Sequence, residues 1–193
     1  MSTSDSPRAS LVLEAAPMPK LSEITLDSNC LSFLIAALEG IARPTDNLAD
    51  QKIALVRLYL YTPGTLWVTP TVKREFERIK DAARKGSHQR WTSANFGVHP
   101  VNDPRVIKRR ATNLARFHKG KNDRMVLAEA EDVGFATLLS FDSRFVKHLA
   151  SHTRLTLTTP AQLWKDLAIP KGAPPVKEPT PDNPLSKEQW WRW

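Results

Sequence analysis

The sequence of 193 residues predicts an α/β fold in which a central, mostly parallel sheet carries helices on both faces. Three observations lead there. Apolar runs of strand length at residues 24–27, 66–69, 136–141 and 155–158 alternate with longer segments of helical character. Helix-start pairs stand where those helices should open: Pro70 after Thr69, Asp103-Pro104, and Thr159-Pro160. Helical stretches separate most strands, as parallel crossovers require, where hairpins would need tight turns.

Taken in order, residues 1–20 are rich in Ser, Pro and Ala and predict a flexible tail. Residues 24–27 form a strand, followed by a helix to about Leu38. Asp46 or Asn47 caps a second helix that runs to about Leu60. It is apolar around most of its circumference (Leu48, Ile53, Leu55, Val56, Leu58, Tyr59, Leu60), which implies deep packing or a subunit contact. After the strand 66–69, Pro70 opens the helix that carries Glu75. Asp103 and Pro104 start a basic helix to about Phe117, and another helix begins near Asn122 and stops at Gly134. A strand at 136–141, a helical turn at 145–149 and a strand at 155–158 follow, and a last helix runs to about Leu167. From Ile169 the chain is Pro-rich and reads as an extended linker ending in Trp190-Trp191-Arg192-Trp193. Tryptophans left in water are costly, so this cluster is expected to dock. The organisation is therefore a tail at 1–20, one domain at 21–168 and a Pro-rich tail at 169–193.

Cys30 is the only cysteine, which rules out an internal disulfide and a cysteine-built zinc site and suits a reducing compartment. No segment reads as a signal peptide or is long and apolar enough to span a bilayer. A soluble, cytoplasmic protein with no membrane association is expected. The net charge of +8 is concentrated: residues 71–125 hold 15 Lys and Arg against 5 Asp and Glu, while the rest of the chain holds 13 against 15. Trp91, Phe96 and Phe117 interleave these charges, a pattern that favours nucleic acid over a merely solvated basic face.

Acidic residues stand out against that basic background. Asp27 and Asp142 each follow an apolar strand, so both should emerge beyond the carboxyl ends of the sheet, where α/β folds bind ligands. The plain alternative for Asp27 is a helix cap. On a wheel of about 100° per residue from Val72 through Ala83, Glu75 lies about 60° from the apolar direction, and Glu77 about 140° away, toward solvent. An ion pair with Arg74 or Arg78 is the alternative for Glu75. Asp123 shares the face of Leu127, Ala130 and Gly134 in the first turn of its helix, where it either serves a site or caps the helix. An oxygen-only set of four acids selects hard divalent ions, Mg²⁺ or Mn²⁺, which activate water and stabilise the leaving oxygen of a phosphodiester.

Four segments carry a family resemblance: Leu26-Asp-Ser-Asn-Cys-Leu31, Pro70-Thr-Val-Lys-Arg-Glu75-Phe, Asn122-Asp-Arg-Met-Val-Leu-Ala-Glu-Ala130 and Leu139-Ser-Phe-Asp-Ser-Arg-Phe145. In this order, with Asp123 and Asp142 nineteen positions apart, they resemble PIN-domain nucleases, above all the toxin ribonucleases of toxin–antitoxin pairs. The likeness spans about residues 21–167. It implies a PIN-like three-layer α/β/α fold and a Mg²⁺- or Mn²⁺-dependent endoribonuclease. Asp27, Glu75, Asp123 and Asp142 would be the catalytic metal-site acids, with Asn29 and Ser140 as polar helpers. Ser140 stands where many relatives carry Thr. The tails and a helical insert at 43–61 depart from the family pattern. RNA is the expected substrate, with Lys73, Arg74, Arg90, Trp91, Arg109, Arg110 and Arg116 as candidate contacts. A homodimer is expected, and a cognate antitoxin is a candidate partner.

The histidines at 88, 99, 118, 148 and 152 lack the spacing of a metal pair and read as surface or RNA-contact residues. Phosphate-binding glycine loops are absent. The rival to a nuclease is a catalytically inactive RNA-binding module on the same fold, and DNA binding is a third reading.

Overall fold

A computed structural model describes residues 23–193. The tail expected at 1–20 lies outside the described residues. Five short parallel strands form one sheet: β1 (Ile24–Leu26), β2 (Leu66–Val68), β3 (Phe96–Val98), β4 (Thr137–Leu139) and β5 (Thr156–Thr158), in the order β3-β2-β1-β4-β5. The sheet is thus parallel throughout rather than mostly so. β1 lies in the middle, with Leu26 level with Val68 on one side and Leu139 on the other. Its residues are buried on both faces, as expected of a central strand covered by helices.

The crossovers are helical: α1 (Ser28–Leu38) and α2 (Ala49–Tyr61) join β1 to β2, and α3 (Pro70–Glu77) and α4 (Ala82–Asn95) join β2 to β3. α5 (Pro104–Asn113) and α6 (Lys121–Val133) then lead to β4, α7 (Ser143–Leu149) to β5, and α8 (Pro160–Asp166) follows. Local chemistry sets the boundaries. Asp103 accepts from the backbone of Arg105 and Val106 to open α5, and Gly134 ends α6 in the left-handed conformation that favours glycine.

Three expectations need correction. The wheel through Ala83 treated one helix where there are two: α3 stops at Glu77, and Asp81 caps a separate α4. Neither α4 nor β3 was expected. α4 buries only His88 and Thr92, so it shows no apolar stripe, and β3 contains a glycine and buries only Phe96. The basic helix ends at Asn113, and residues to Arg116 tighten into a 3-10 turn. Third, residues beyond Ile169 pack on the domain instead of extending away from it.

The tryptophan cluster docks. Trp191 is fully buried beside Tyr61, its indole N–H donating to Leu185 O at 2.9 Å. Arg57 donates to the carbonyls of Trp191 and Arg192 at 3.0 and 2.8 Å and lies over the Trp193 ring. α2 is therefore covered by α8 and by this tail, which accounts for its nearly all-round apolar character.

Candidate active site

β1 releases Asp27 at its carboxyl end, and the carboxylate does two things. Oδ1 accepts from Cys30 N at 2.7 Å and caps α1, while Oδ2 accepts from the Ser140 hydroxyl, which follows β4. Parallel registration of β1 with β4 brings these side chains together. Burial pushes the Asp27 carboxyl above its ordinary range; the bonds from Ser140 and Cys30 pull part of that back, and the charge of Asp123 adds to the rise. Cys30 is buried, and its thiol is pushed well up by burial first and by Asp27 next, so it is no nucleophile.

Glu75 approaches from α3. Its Oε2 accepts from the Ser28 hydroxyl and its Oε1 from the Asn122 amide, so it is fixed between the starts of α1 and α6 and makes no ion pair with Arg74 or Arg78. Its helix is held in place by Glu129 of α6, which is 2% exposed. Thr71 N and Thr71 Oγ1 both donate to Glu129 at 2.8 Å, and Arg74 pairs with it at 3.1 Å. Thr69, the cap residue of α3, makes no side-chain cap bond, so a carboxylate from another helix satisfies the first turn.

Asp123 does not cap its helix, whose N-cap is Gly120. Its Oδ2 lies 2.7 Å from His118 Nε2. With Asp123 ionised, that nitrogen carries the proton, leaving Nδ1 to face His148 at 3.5 Å. A Cβ on Gly120 would run into Asp123 Oδ2 and come within 2.6 Å of His118 Nε2, so a larger residue there would force this pair to move.

Asp27, Glu75 and Asp123 line one cavity of about 410 Å³ together with Ser28, Asn29 and Asn122. Asp142 stands apart. It is exposed, and its Oδ1 caps α7 by accepting from Arg144 and Phe145 N–H at 2.8 and 3.1 Å. It does not line this cavity but lies in an adjoining hollow with Asn29, Ser32 and Arg84, which border both, and its own N–H donates to Ser140 Oγ at 3.0 Å. Among the described residues no three His, Cys, Asp or Glu side chains are grouped closely enough to enclose a metal ion. Magnesium does not need such a cage, because it keeps several waters and binds through one or two carboxylates plus substrate phosphate. The oxygen-only donor set of this cavity fits that ion.

Of the cationic candidates, Arg74, Arg90 and Arg110 are engaged within the protein. Arg90 lies 3.6 Å from Glu39, which also accepts from Trp91. Arg110 makes a two-pronged pair with Glu131 at 2.6 and 2.8 Å, beside a separate cavity at the opposite ends of β4 and β5. Arg116 lies over the Phe117 ring, Lys73 lies 3.9 Å from Glu77, and Arg109 is exposed on α5. The reading of the histidines as surface groups is corrected for two of them: His118 is 9% exposed and His88 2%. Ser28, Asn122 and His118 are site residues that sequence reasoning missed. Only the proximity of 118 to 123, across a glycine, could have hinted at the last.

No family model matches the sequence, and no curated protein matches it significantly. Among solved structures it is similar to the crystal structure of VapBC2 from Rickettsia felis bound to a DNA fragment from their promoter. That match has 14% identity and a TM-score of 0.47 and covers 70% of this chain and 98% of the other. At that level it carries no argument about activity. Among the described residues no helix is long and apolar enough to cross a membrane.

Proposed function

We propose that this protein is a metal-dependent endoribonuclease that hydrolyses RNA phosphodiester bonds in the cavity lined by Asp27, Glu75 and Asp123. The observation that carries the reading is the meeting of three carboxylates from three separate elements in one cavity at the carboxyl end of a parallel sheet. The charge of Asp123 adds to the cost of ionising Asp27, and a divalent cation is the usual remedy for such crowding.

Asp27 and Asp123 would hold Mg²⁺ or Mn²⁺, with Glu75 across the cavity. A bound ion there would polarise a phosphoryl oxygen and acidify water. The chain's own groups do the positioning. Ser140 and Cys30 N–H fix the Asp27 oxygens, His118 fixes Asp123, and Ser28 and Asn122 fix Glu75. Asp142 serves indirectly, by holding the Ser140 hydroxyl toward Asp27. The resemblance of the four sequence segments to toxin ribonucleases extends the proposal to a toxin held in check by a cognate antitoxin, and to a homodimer.

The engagement of Asp142 as a helix cap favours a second reading, an RNA-binding module without catalysis. Incubation of the purified chain with single-stranded RNA in EDTA, Mg²⁺ and Mn²⁺ separates the two. Cleavage with either ion, absent in EDTA and lost in Asp123→Asn, supports the nuclease. Metal-independent binding without cleavage leaves the module.

A further inference from the structure

The cations best placed to meet substrate are two that the charge pattern does not single out. Arg78 and Arg84 flank the turn between α3 and α4, and both line the cavity that holds Asp27, Glu75 and Asp123. Both are exposed. Among the described residues neither guanidinium has a hydrogen-bond or ion-pair partner, whereas Arg74, Arg90 and Arg110 are each neutralised by a glutamate.

Their backbones are nevertheless firmly held. Arg78 N–H donates to Glu75 O at 3.1 Å, so this arginine is anchored to the acid it flanks. Arg84 N–H donates to Asp81 Oδ1 at 2.7 Å, and Arg84 O lies 2.9 Å from His88 Nδ1. A carbonyl can only accept, so Nδ1 carries the hydrogen, and Nε2 of a neutral ring accepts from the Ser32 hydroxyl at 3.0 Å. His88 is buried between α1 and α4, and Ser32 itself lines the cavity. The histidine thus pins the first turn of α4 to the cavity wall. Side chains free to move on fixed backbones, with five N–H donors each and no internal partner, suit an incoming oxyanion.

We propose that Arg78 and Arg84 form a phosphate clamp that grips the backbone of a single-stranded nucleic acid at the mouth of the acidic cavity. The clamp rests on the nuclease reading only in that nucleic acid enters this cavity. It holds phosphates beside the carboxylates, offsetting the repulsion that an acid-lined pit exerts on a polyanion.

The test is fluorescence anisotropy with a short labelled single-stranded RNA in EDTA, over a range of salt, on the full chain. The doubly substituted Arg78→Gln/Arg84→Gln protein is compared with wild type and with Lys165→Gln/Lys187→Gln, which removes the same charge from exposed sites elsewhere. Two lost phosphate contacts should weaken binding about tenfold and flatten the log–log salt dependence by about 1.4. The lysine pair should leave both nearly unchanged. An unaltered slope in the arginine variant, or equal effects of the two variants, overturns the clamp and leaves the nuclease reading intact. Retained clamp behaviour in a chain that cleaves nothing with metal supports the clamp and removes the catalytic reading. No RNA binding by wild type removes both.

Discussion

The Ser140 hydroxyl donates to Asp27 Oδ2 across the seam between β4 and β1 while accepting from Asp142 N–H at 3.0 Å. One hydroxyl therefore joins the ends of two strands that are 113 positions apart in sequence. Its bond favours the ionised form of Asp27, which burial opposes. In Ser140→Ala the Asp27 carboxyl should titrate higher still. The acid limb of the pH–rate profile for RNA cleavage should then move to higher pH, and Ser140→Thr should restore it. A limb that stays in place in Ser140→Ala would separate this hydroxyl from the chemistry.

Asp27 also sets a stability trend. Its pKa is raised above 3.8 in the folded chain, so the folded state holds the proton more tightly than the unfolded state does. Stability from this group is present below 3.8 and is lost as pH rises through the folded value. Asp27→Asn keeps an oxygen for Cys30 N and removes the charge. In EDTA it should melt higher than wild type at pH 7, with the difference closing as pH falls toward 3.8. Added Mg²⁺ should raise the wild-type melting temperature more than that of the variant. Equal melting at both pH values would falsify the assignment of a net cost to the ionised carboxylate.

Glu129 offers a test away from the cavity. Its removal leaves Thr71 N and Oγ1 without an acceptor in a buried setting and frees Arg74. Glu129→Ala should cost about 3 kcal/mol in urea unfolding. Glu129→Gln, which keeps an acceptor, should cost about half as much. A loss under about 0.5 kcal/mol for the alanine variant would mean water replaces the carboxylate easily.

Gly120 carries the fourth prediction. Its backbone has φ −60°, which alanine adopts freely, so only the collision with His118 and Asp123 matters. Gly120→Ala should lower cleavage about 100-fold, the scale set by small displacements of catalytic groups, while the circular dichroism spectrum is kept. Full activity would show that Asp123 works without its histidine partner.

Much of this was legible in the sequence. β1, β2, β4 and β5 are apolar runs that end in turn or cap residues, and Asp27 and Asp123 follow from a strand end and helical periodicity, whereas the wheel that singles out Glu75 runs past the end of α3 at Glu77. α4 and β3 were not, because helix formation there is supported by His88 and Thr92 rather than by an apolar stripe, and Gly97 in β3 leaves room for the Trp67 ring. The engagement of Arg74 and Arg110 was hidden for a related reason. Their partners, Glu129 and Glu131, lie on α6, so only the packing of α6 against α3 and α5 shows which charges are left over. Asp142 is expected beside Asp27, but registration of β1 with β4 sets Ser140 level with Asp27, and Asp142, two residues further on, turns its carboxylate to the start of α7.

The strand order has a consequence for how the molecule comes into being. β1 pairs with β4, whose first residue is Thr137, so one edge of the central strand stays open until synthesis has passed Thr137. Pairing so distant in sequence is entropically slow to establish. It also ties the appearance of the cavity to synthesis of a segment far downstream of Asp27, which gains its hydroxyl partner only with Ser140. A nascent or prematurely terminated chain thus carries the acids without the site, and exposes a hydrophobic strand edge for which chaperones would compete.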